Sequence, residues 1–504
     1  MGSRRSIKFN LAASWLSHAV GIAVAVFLMP YVLHIVGDEA YGTWIFIHAV
    51  AGYGGFLYLG FGQSICRYVA DYYERQLWDK LNEVVSIMFF IYVGMGALGF
   101  LIAAGVAWLA PNVKSWGGQS TEEIQLVILI LGLEFFLGMA TSVFGGILIG
   151  MERFDLERGL QLIAGLVRLI LTVTFLSQRW SLLTLSLVFL AVTLVEHLGH
   201  LVLAFVKLPT LSIRLRHFRL STLKEFTSFS SYAWLNMISA QLIDCTDTVI
   251  IGCILGAKAT VPYHIAQRLC RFIAAPILQI GEVLMPRAGA LSSLSKDREL
   301  QRLVTKGLGI SFLLITAFFI GGSFFGSMLI TTWIGSGYTQ SHVLLIVLLA
   351  TQIIATPINI VRSVLFGMGH VKRQSLLFLA EALLNVVLSL VLIGPFGLMG
   401  VALGTAIPVV VIELGLLAPY ALRTLQLEFR DLIRQALGPQ ILALSGLLAY
   451  SLLVDRLYPV DDNWLNLITI TIGGGAVLGV GWLASSALER RYRFLEYTKT
   501  APVP

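Results

Sequence analysis

Residues 84–109 read VVSIMFFIYVGMGALGFLIAAGVAWL, 26 positions without one charged side chain. A helix crossing the hydrocarbon core needs roughly 20 consecutive apolar residues, because it rises about 1.5 Å per residue through about 30 Å of lipid. This stretch is long enough to cross. Stretches of the same kind recur along the chain, near 11–33, 41–66, 83–109, 124–150, 159–177, 182–206 and 227–255. Seven more lie near 264–290, 307–333, 341–367, 375–393, 399–421, 437–454 and 464–488. The sequence therefore predicts an all-α polytopic membrane protein with 14 transmembrane helices. Composition agrees. Hydrophobic residues make up 57% of the 504 and charged residues 12%, about half the charged share of a soluble domain.

The loops predict the orientation. Lys and Arg collect on cytoplasmic loops, and here one side carries 27 of them, from Arg4, Arg5 and Lys8 to Arg490, Arg491, Arg493 and Lys499. The other side carries 4: Lys114, Arg179, Lys258 and Arg456. Both termini are expected in the cytoplasm, which requires an even number of crossings. The net charge of +7 is explained by these loops beside an anionic leaflet, so no nucleic-acid partner is expected. The opening Met1–Ser6 fits a myristoylation pattern. In a chain with many integral spans an acyl anchor would add little. The first apolar run is too long for a signal-peptide core. The cysteines Cys66, Cys245, Cys253 and Cys270 all fall in spans, without metal-ligand spacing.

The chain repeats itself once. Ile35-Val36-Gly37-Asp38-Glu39-Ala40 after the first span answers Ile254-Leu255-Gly256-Ala257-Lys258-Ala259 after the seventh, 219 residues on. Leu148-Ile149-Gly150-Met151 answers Leu365-Phe366-Gly367-Met368 at an offset of 217, where Arg168 aligns with Asn385. An even number of spans per copy implies two lobes of the same topology, related by a pseudo-twofold axis along the membrane normal. The expected organisation is an N-lobe over 1–226, with helices 1–6 and a cytoplasmic linker, and a C-lobe over 227–434, with helices 7–12. Helices 13–14 and a cytoplasmic tail follow over 435–504. Two pseudo-symmetric six-helix lobes facing a central cleft would open it to each side in turn.

The N-terminal block Met29-Pro30-Tyr31-Val32-Leu33, Val36–Trp44, Leu59-Gly60-Phe61-Gly62-Gln63 and Arg67-Tyr68-Val69-Ala70 carries a family pattern. In the second half Asp247–Gly252, Leu255-Gly256, Tyr263-His264-Ile265-Ala266, Gly367-Met368-Gly369 and Gly397–Leu403 continue it. Over about the first 410 residues the chain resembles the oligosaccharide flippase (polysaccharide transporter) branch of the multidrug/oligosaccharidyl-lipid/polysaccharide exporter superfamily, the lipopolysaccharide O-antigen flippases among them. The resemblance implies a two-lobe transporter in a bacterial inner membrane. It implies a cargo of polyprenyl-pyrophosphate-linked oligosaccharide, an O-antigen or exopolysaccharide repeat unit, moved from the cytoplasmic to the outer leaflet. Glycan polymerases or glycosyltransferases of the same pathway are the implied partners. Fourteen spans also resemble the lipid II flippases, whose extra helix pair lines a groove for the lipid tail. Here that pair carries Gly473-Gly474-Gly475 and Gly479, a face suited to close helix packing.

Charges inside spans are expensive, about 2.5–3.5 kcal/mol each at the bilayer centre by insertion scales, so they face partners or water. His264, Arg268 and Arg271 fall at i, i+4 and i+7 on the eighth span, and Glu282 returns to that face three turns later. Guanidinium groups bind anionic phosphate oxygens in pairs. Arg268 and Arg271, with His264, Arg168 and Arg362, are the expected cargo-binding residues. Arg268 and Arg271 can equally snorkel or pair with the seventh helix. Asp244 and Asp247, three apart on the seventh span, and Glu282 are expected as counter-ions or as proton or sodium coupling sites. A fixed salt bridge between helices is the plain alternative. Arg67 is the expected cytoplasmic gate. Glu134, Glu196 and Glu413 read as lone carboxylates, Glu381 with Asn385, like Arg168 with Gln161 seven residues earlier, as polar residues facing the cleft, and His18 and His48 as packed histidines.

Two further functions compete with flipping. A cation-coupled multidrug or small-molecule exporter on the same fold would use Asp244, Asp247 and Glu282, though Arg268 and Arg271 disfavour cationic cargo. An enzyme would need catalytic carboxylates or a metal site in a large loop. No loop reaches about 25 residues, and no Walker pattern is present. No enzymatic activity, cofactor or metal is expected.

Overall fold

The computed structural model describes residues 7–59, 61–112, 116, 118–176, 181–217, 220–457 and 461–500, with the side chains of 7–18, 61, 63–64, 217–230, 431 and 488–500 outside that description. Arg4 and Arg5, with the myristoylation-type pattern around them, therefore lie outside the described residues. So do Lys114, Arg179 and Arg219, the side chains of His18 and Gln63, and the cationic groups of Lys8, Lys224, Arg490, Arg491, Arg493 and Lys499.

The elements are helical throughout. In chain order they are α1 (Ile7–Gly52), α2 (Phe61–Glu74), α3 (Trp78–Leu109), α4 (Thr121–Gly150), α5 (Phe154–Phe175), α6 (Ser181–Lys207), α7 (Leu220–Ile254) and α8 (Thr260–Ser293). There follow α9 (Asp297–Trp333), α10 (Gln340–Gly367), α11 (Val371–Pro408), a π-helical stretch (Val409–Leu417), α12 (Ala418–Thr424), α13 (Phe429–Leu432), α14 (Ile441–Leu457) and α15 (Trp464–Thr500). Local chemistry accounts for the starts and stops. Ser120 caps α4, its hydroxyl accepting from Glu123 N at 3.1 Å, and Glu122 and Glu123 follow in the first turn, where carboxylates oppose the helix dipole.

Among the described residues, twelve segments are long and apolar enough to cross a membrane, where 14 crossings are expected. The difference lies in two very long segments, Ala19–Tyr58 and Val371–Thr424, of 40 and 54 residues. Each is broken once, at Gly37 (φ 78°) and at Gly397 (φ 56°), backbone conformations that suit glycine. The second break reverses the chain. A Cβ on Gly400 would meet Leu392 O at 2.0 Å, and one on Gly404 would meet Ser389 N at 2.7 Å. Asn385 Nδ2 donates to Thr405 Oγ1 at 3.0 Å. In a straight helix residues 389 and 404 would be about 22 Å apart. Val371–Thr424 is thus a pair of antiparallel helices joined at Gly397.

The chain divides into two compact units, residues 1–261 and 262–504. In the first, α4 packs between α3 and α6, α1 packs on α5, and α2 lies across α4. Its core centres on Val69, Val85, Met88, Met139, Val143 and Ile147, all fully buried. Opposite faces point outward as large apolar side chains, such as Leu101, Trp108 and Ile170, the surface that lipid requires. The segment after α6 is pinned rather than loose. Asn82 donates to Thr210 O at 2.9 Å and accepts from Ser212 N at 2.9 Å, and Ser86 Oγ accepts from Arg214 N at 3.2 Å. Beyond it α7 returns to α1 and to the turn that follows it (Tyr53–Tyr58), with Trp234 Nε1 donating to Phe56 O of that turn at 3.0 Å. In the second unit α9, α10 and α11 pack in series, α8 lies across α10, and α14 and α15 pair with each other and with α9. Gly473 and Gly481 let α15 settle on Tyr450 and Ala443 of α14, whereas Gly475 and Gly479 have open space beside them.

The repeat is written into the backbone. Left-handed or extended positive-φ residues recur as Gly37 and Gly256, Gln76 and Ser295, Gly118 and Gly335, and Glu152 and Gly369, at the same offsets of 217–219. The helix ends around them close with the same bonds. Leu77 N donates to Tyr72 O and Lys296 N to Leu291 O, while Arg153 N donates to Leu148 O and His370 N to Leu365 O. One close crossing recurs as well. A Cβ on Gly150 would meet Cys66 O at 2.9 Å, and one on Gly367 would meet Met285 O at 2.2 Å.

Candidate functional site

The arginine-bearing face of α8 is continuous helix, so His264, Arg268 and Arg271 share one side as their spacing requires. All three are half-buried. The Arg268 guanidinium lies 5.2 Å from the centre of the Phe272 ring, a contact that holds a cation against an apolar surface. Pro276 interrupts the backbone ladder before Glu282, and Glu282 is exposed. On α7 the two aspartates have different surroundings: Asp247 is 1% exposed, whereas Asp244 is exposed. Beside Asp247, Thr246 Oγ1 is 2.7 Å from Tyr53 Oη. Arg67 is exposed on α2, near an Arg75–Asp71 ion pair of 2.9 Å.

A polar cluster lies inside the first unit. Arg168 of α5 sits 4.6 Å from the centre of the Phe189 ring on α6, and Phe189 also packs on His48 and Trp44 of α1. The carboxylates of Glu196 and Glu134 act on Arg168 electrostatically, and Thr193 donates to Glu134 Oε1 at 2.9 Å. Two glutamates that read as lone groups in the sequence therefore lie within the electrostatic reach of one arginine. Gln161 pairs elsewhere: its amide donates to Glu157 Oε1 at 2.6 Å and accepts from Arg158 at 2.8 Å. Sequence reasoning missed His197 and His200, whose rings meet edge to face at 5.8 Å beside Gly138 and Gly145 of α4. The signal was present as Glu196, His197 and His200 on one span, with the last two three residues apart.

The second unit holds a tighter cluster. Arg362 of α10 donates to Glu413 Oε1 at 3.0 Å and to Glu381 Oε2 at 3.3 Å. Its guanidinium also lies 4.1 Å from the centre of the Phe378 ring. Arg362 is 8% exposed, Glu381 4% and Glu413 2%. Expected among the cargo contacts, Arg362 is held by two carboxyl groups of the helical hairpin. Glu413 belongs to the π-helical stretch, and insertions of this kind concentrate at functional sites.

A cavity of about 350 Å³ opens in the first unit. Phe46, Tyr53, Phe56, Trp116, Ile128 and Phe135 are among the residues that line it. Its nearly unbroken apolar wall suits a short hydrocarbon segment and no polar ligand. Among the described residues no group of three or more His, Cys, Asp or Glu side chains is placed to hold a metal ion.

Long apolar helices, two units repeating one set of turns and charges kept inside them define a multi-pass membrane protein of the transporter type. Solved structures share the fold. The lipid II flippase MurJ in an inward closed conformation superposes with a TM-score of 0.71 at 15% identity, over 97% of this chain and 100% of that one. An inward-facing multidrug resistance MATE family transporter of the MOP superfamily gives 0.70 at 15% identity, over 81% and 95%. The chain belongs to the polysaccharide biosynthesis protein family, whose model matches residues 10–292, more than half of its length. It is 24% identical over 416 residues to a Shigella flexneri protein named "Putative O-antigen transporter", covering 80% of this chain and 95% of that protein.

Proposed function

We propose that this chain flips a polyprenyl-pyrophosphate-linked oligosaccharide, such as an O-antigen or exopolysaccharide repeat unit, from the cytoplasmic to the outer leaflet of a bacterial inner membrane. The observation that carries the reading is the half-buried row His264, Arg268 and Arg271 on one face of α8, in a chain of a polysaccharide biosynthesis family. Relatives named for O-antigen transport and lipid II flipping support it. A pyrophosphate carries several anionic oxygens, and paired guanidinium groups suit it where a carboxylate-lined cavity would suit cationic drugs. Arg268 and Arg271 take the pyrophosphate or acidic sugars, and His264 and Arg168 are further cargo contacts. Asp244, Asp247 and Glu282 act as counter-ions while no cargo is bound. Arg67 gates the cytoplasmic side.

The two long helical segments each cross twice, turning at Gly37 and Gly397, which makes 14 crossings and leaves both termini in the cytoplasm. Segments of 40 and 54 residues exceed the roughly 20 that one crossing needs. Alternating access between two bundles then carries the headgroup across. Transport draws on an ion gradient or on consumption of the product outside, where polymerases or glycosyltransferases act.

Deleting the gene and inventorying lipid-linked glycans tests the reading. Loss of one surface glycan, with its polyprenyl-pyrophosphate precursor accumulating on the cytoplasmic leaflet, is expected. Unchanged glycans with heightened sensitivity to cationic compounds would replace flipping by cation-coupled export.

A further inference from the structure

Two carboxyl groups and one guanidinium share a dry site in the second unit. Glu381 comes from the first arm of the helical hairpin, Glu413 from the π-helical stretch that continues the second, and Arg362 from α10. All three are more than nine-tenths buried. The carboxyl groups of Glu381 and Glu413 converge on one guanidinium nitrogen, Arg362 Nη2, at 3.3 and 3.0 Å. Two ionised carboxylates on one cation repel each other, and an ionised carboxylate only accepts, so neither can supply a donor to the other. Glu413 Oε2 is buried and accepts from no donor among the described residues. With both glutamates ionised the site would carry a net charge of −1 away from water. One bound proton makes it neutral and supplies the missing donor.

The surrounding charges do not alter this balance. Arg302 and Lys306 of α9, Glu282 and Arg287 of α8, and Arg423 of α12 are exposed. Lys372 is exposed on α11, and Arg373 of the same helix covers the Tyr420 ring at 4.7 Å. The charged group in contact with both carboxyls is Arg362.

We propose that Arg362, Glu381 and Glu413 form a proton-binding site that couples transport to the proton gradient. The inference deepens the flippase reading and rests on it for the word transport. Binding adds one proton to the Glu381–Glu413 pair, giving one carboxylic acid, one carboxylate and a neutral triad. Release returns that proton to water and leaves a carboxylate in excess, which favours a conformation that wets the site. The backbone is suited to answer. Pro408 immediately precedes the π-helical stretch and Pro419 follows it, each withholding a backbone donor. A stretch bonded i to i+5 can return to α-helical register, and doing so re-aims Glu413.

The test reads the proton and the cargo separately. Full-length protein is reconstituted in phosphatidylethanolamine–phosphatidylglycerol liposomes and titrated by infrared difference spectroscopy. A protonated carboxylic acid carbonyl band, shifted in deuterium oxide, is expected at neutral pH and should vanish in Glu413→Gln or Glu381→Gln. Arg362→Gln should move its titration midpoint to higher pH by about 1–3 pH units, because it removes the cation that favours ionisation. Glu413→Asp, which keeps a carboxyl group, serves if the glutamine variant fails to fold. No glutamate-dependent band at any pH where the protein stays folded overturns the site. The band disappearing while surface glycan is assembled at the unaltered rate, and assembly that ignores a proton ionophore, overturn the coupling and leave the flippase reading standing. A persistent band together with unchanged glycans in the gene deletion overturns the flippase reading and leaves the proton site.

Discussion

Glu196 and Glu413 occupy the same place in the internal repeat, 217 residues apart; Glu413 accepts from Arg362 of α10 at 3.0 Å, whereas Glu196 acts on Arg168 of α5 through its electrostatic field. Arg168 lies 4.6 Å from the centre of the Phe189 ring, and its repeat partner is Asn385. Glu413 faces Arg362 of α10, whose repeat partner is Gly145, a glycine beside the His200 ring. The second carboxylate also differs in origin, Glu134 of α4 in one unit and Glu381 of α11 in the other. Duplication preserved the backbone and its turns while the buried charges were rebuilt. In the second unit one guanidinium meets two carboxyl groups directly, which lowers the cost of keeping charge inside a membrane.

Cargo binding by α8 is tested by Arg268→Ala with Arg271→Ala. Export of the glycan should be abolished with protein level unchanged, measured by surface glycan staining and membrane immunoblot. Full activity in the double variant would remove these arginines from the cargo path.

The Arg168 cluster should behave as one unit. Arg168→Leu alone strands Glu134 and Glu196, whereas Arg168→Leu with Glu196→Gln restores part of the loss. A double-mutant cycle by thermal unfolding in detergent is expected to give an interaction energy of about 0.5–3 kcal/mol. Strictly additive losses would mean the two side chains are independent.

The hairpin at Gly397 depends on small residues. Gly400→Val places side-chain atoms against Leu392 O, already 2.0 Å from an ideal Cβ, and should abolish folded protein in the membrane. Gly394→Ala, which meets nothing within 4 Å, is the matched control and should accumulate normally. Gel filtration in detergent separates the outcomes.

Asn82 holds the segment between α6 and α7 through two backbone contacts. Asn82→Ala removes two part-buried hydrogen bonds, to Thr210 O and from Ser212 N, and should lower stability by about 0.5–1.5 kcal/mol per bond. It should also expose the segment near Thr210 to limited proteolysis. An unchanged melting temperature and digestion pattern would show that the pin contributes nothing.

The glycines of α15 should separate by position. Gly473→Val meets Tyr450 Oη, 2.3 Å from an ideal Cβ, and should destabilise the α14–α15 pair, while Gly475→Val meets nothing within 4 Å and should be silent. Equal melting temperatures would contradict the packing.

The site was half legible in the chain. The spacing of His264, Arg268 and Arg271 specifies one helix face, because the period of a helix is a local property, and the structure keeps them on one helix. The partners of Arg168 and Arg362 were not legible. Glu134 and Glu196 lie 34 residues before and 28 after Arg168, and Glu381 and Glu413 lie 19 and 51 residues beyond Arg362. Periodicity carries no information over such separations.

By itself the sequence determined the solvent. Runs such as 84–109 leave too little polar surface for water and enough apolar length for lipid, so helices that satisfy their own backbone are the form open to them. The repeat was determined too, since glycines at 37 and 256 and at 150 and 367 mark turns and crossings that demand a small residue. Only tertiary structure decided which buried charges meet, that Val371–Thr424 doubles back at Gly397, and that two acids of that hairpin share one arginine. The reason is physical. Helix formation and hydropathy are summed over neighbours in sequence, whereas a buried charge is stabilised by whichever helix packs against it.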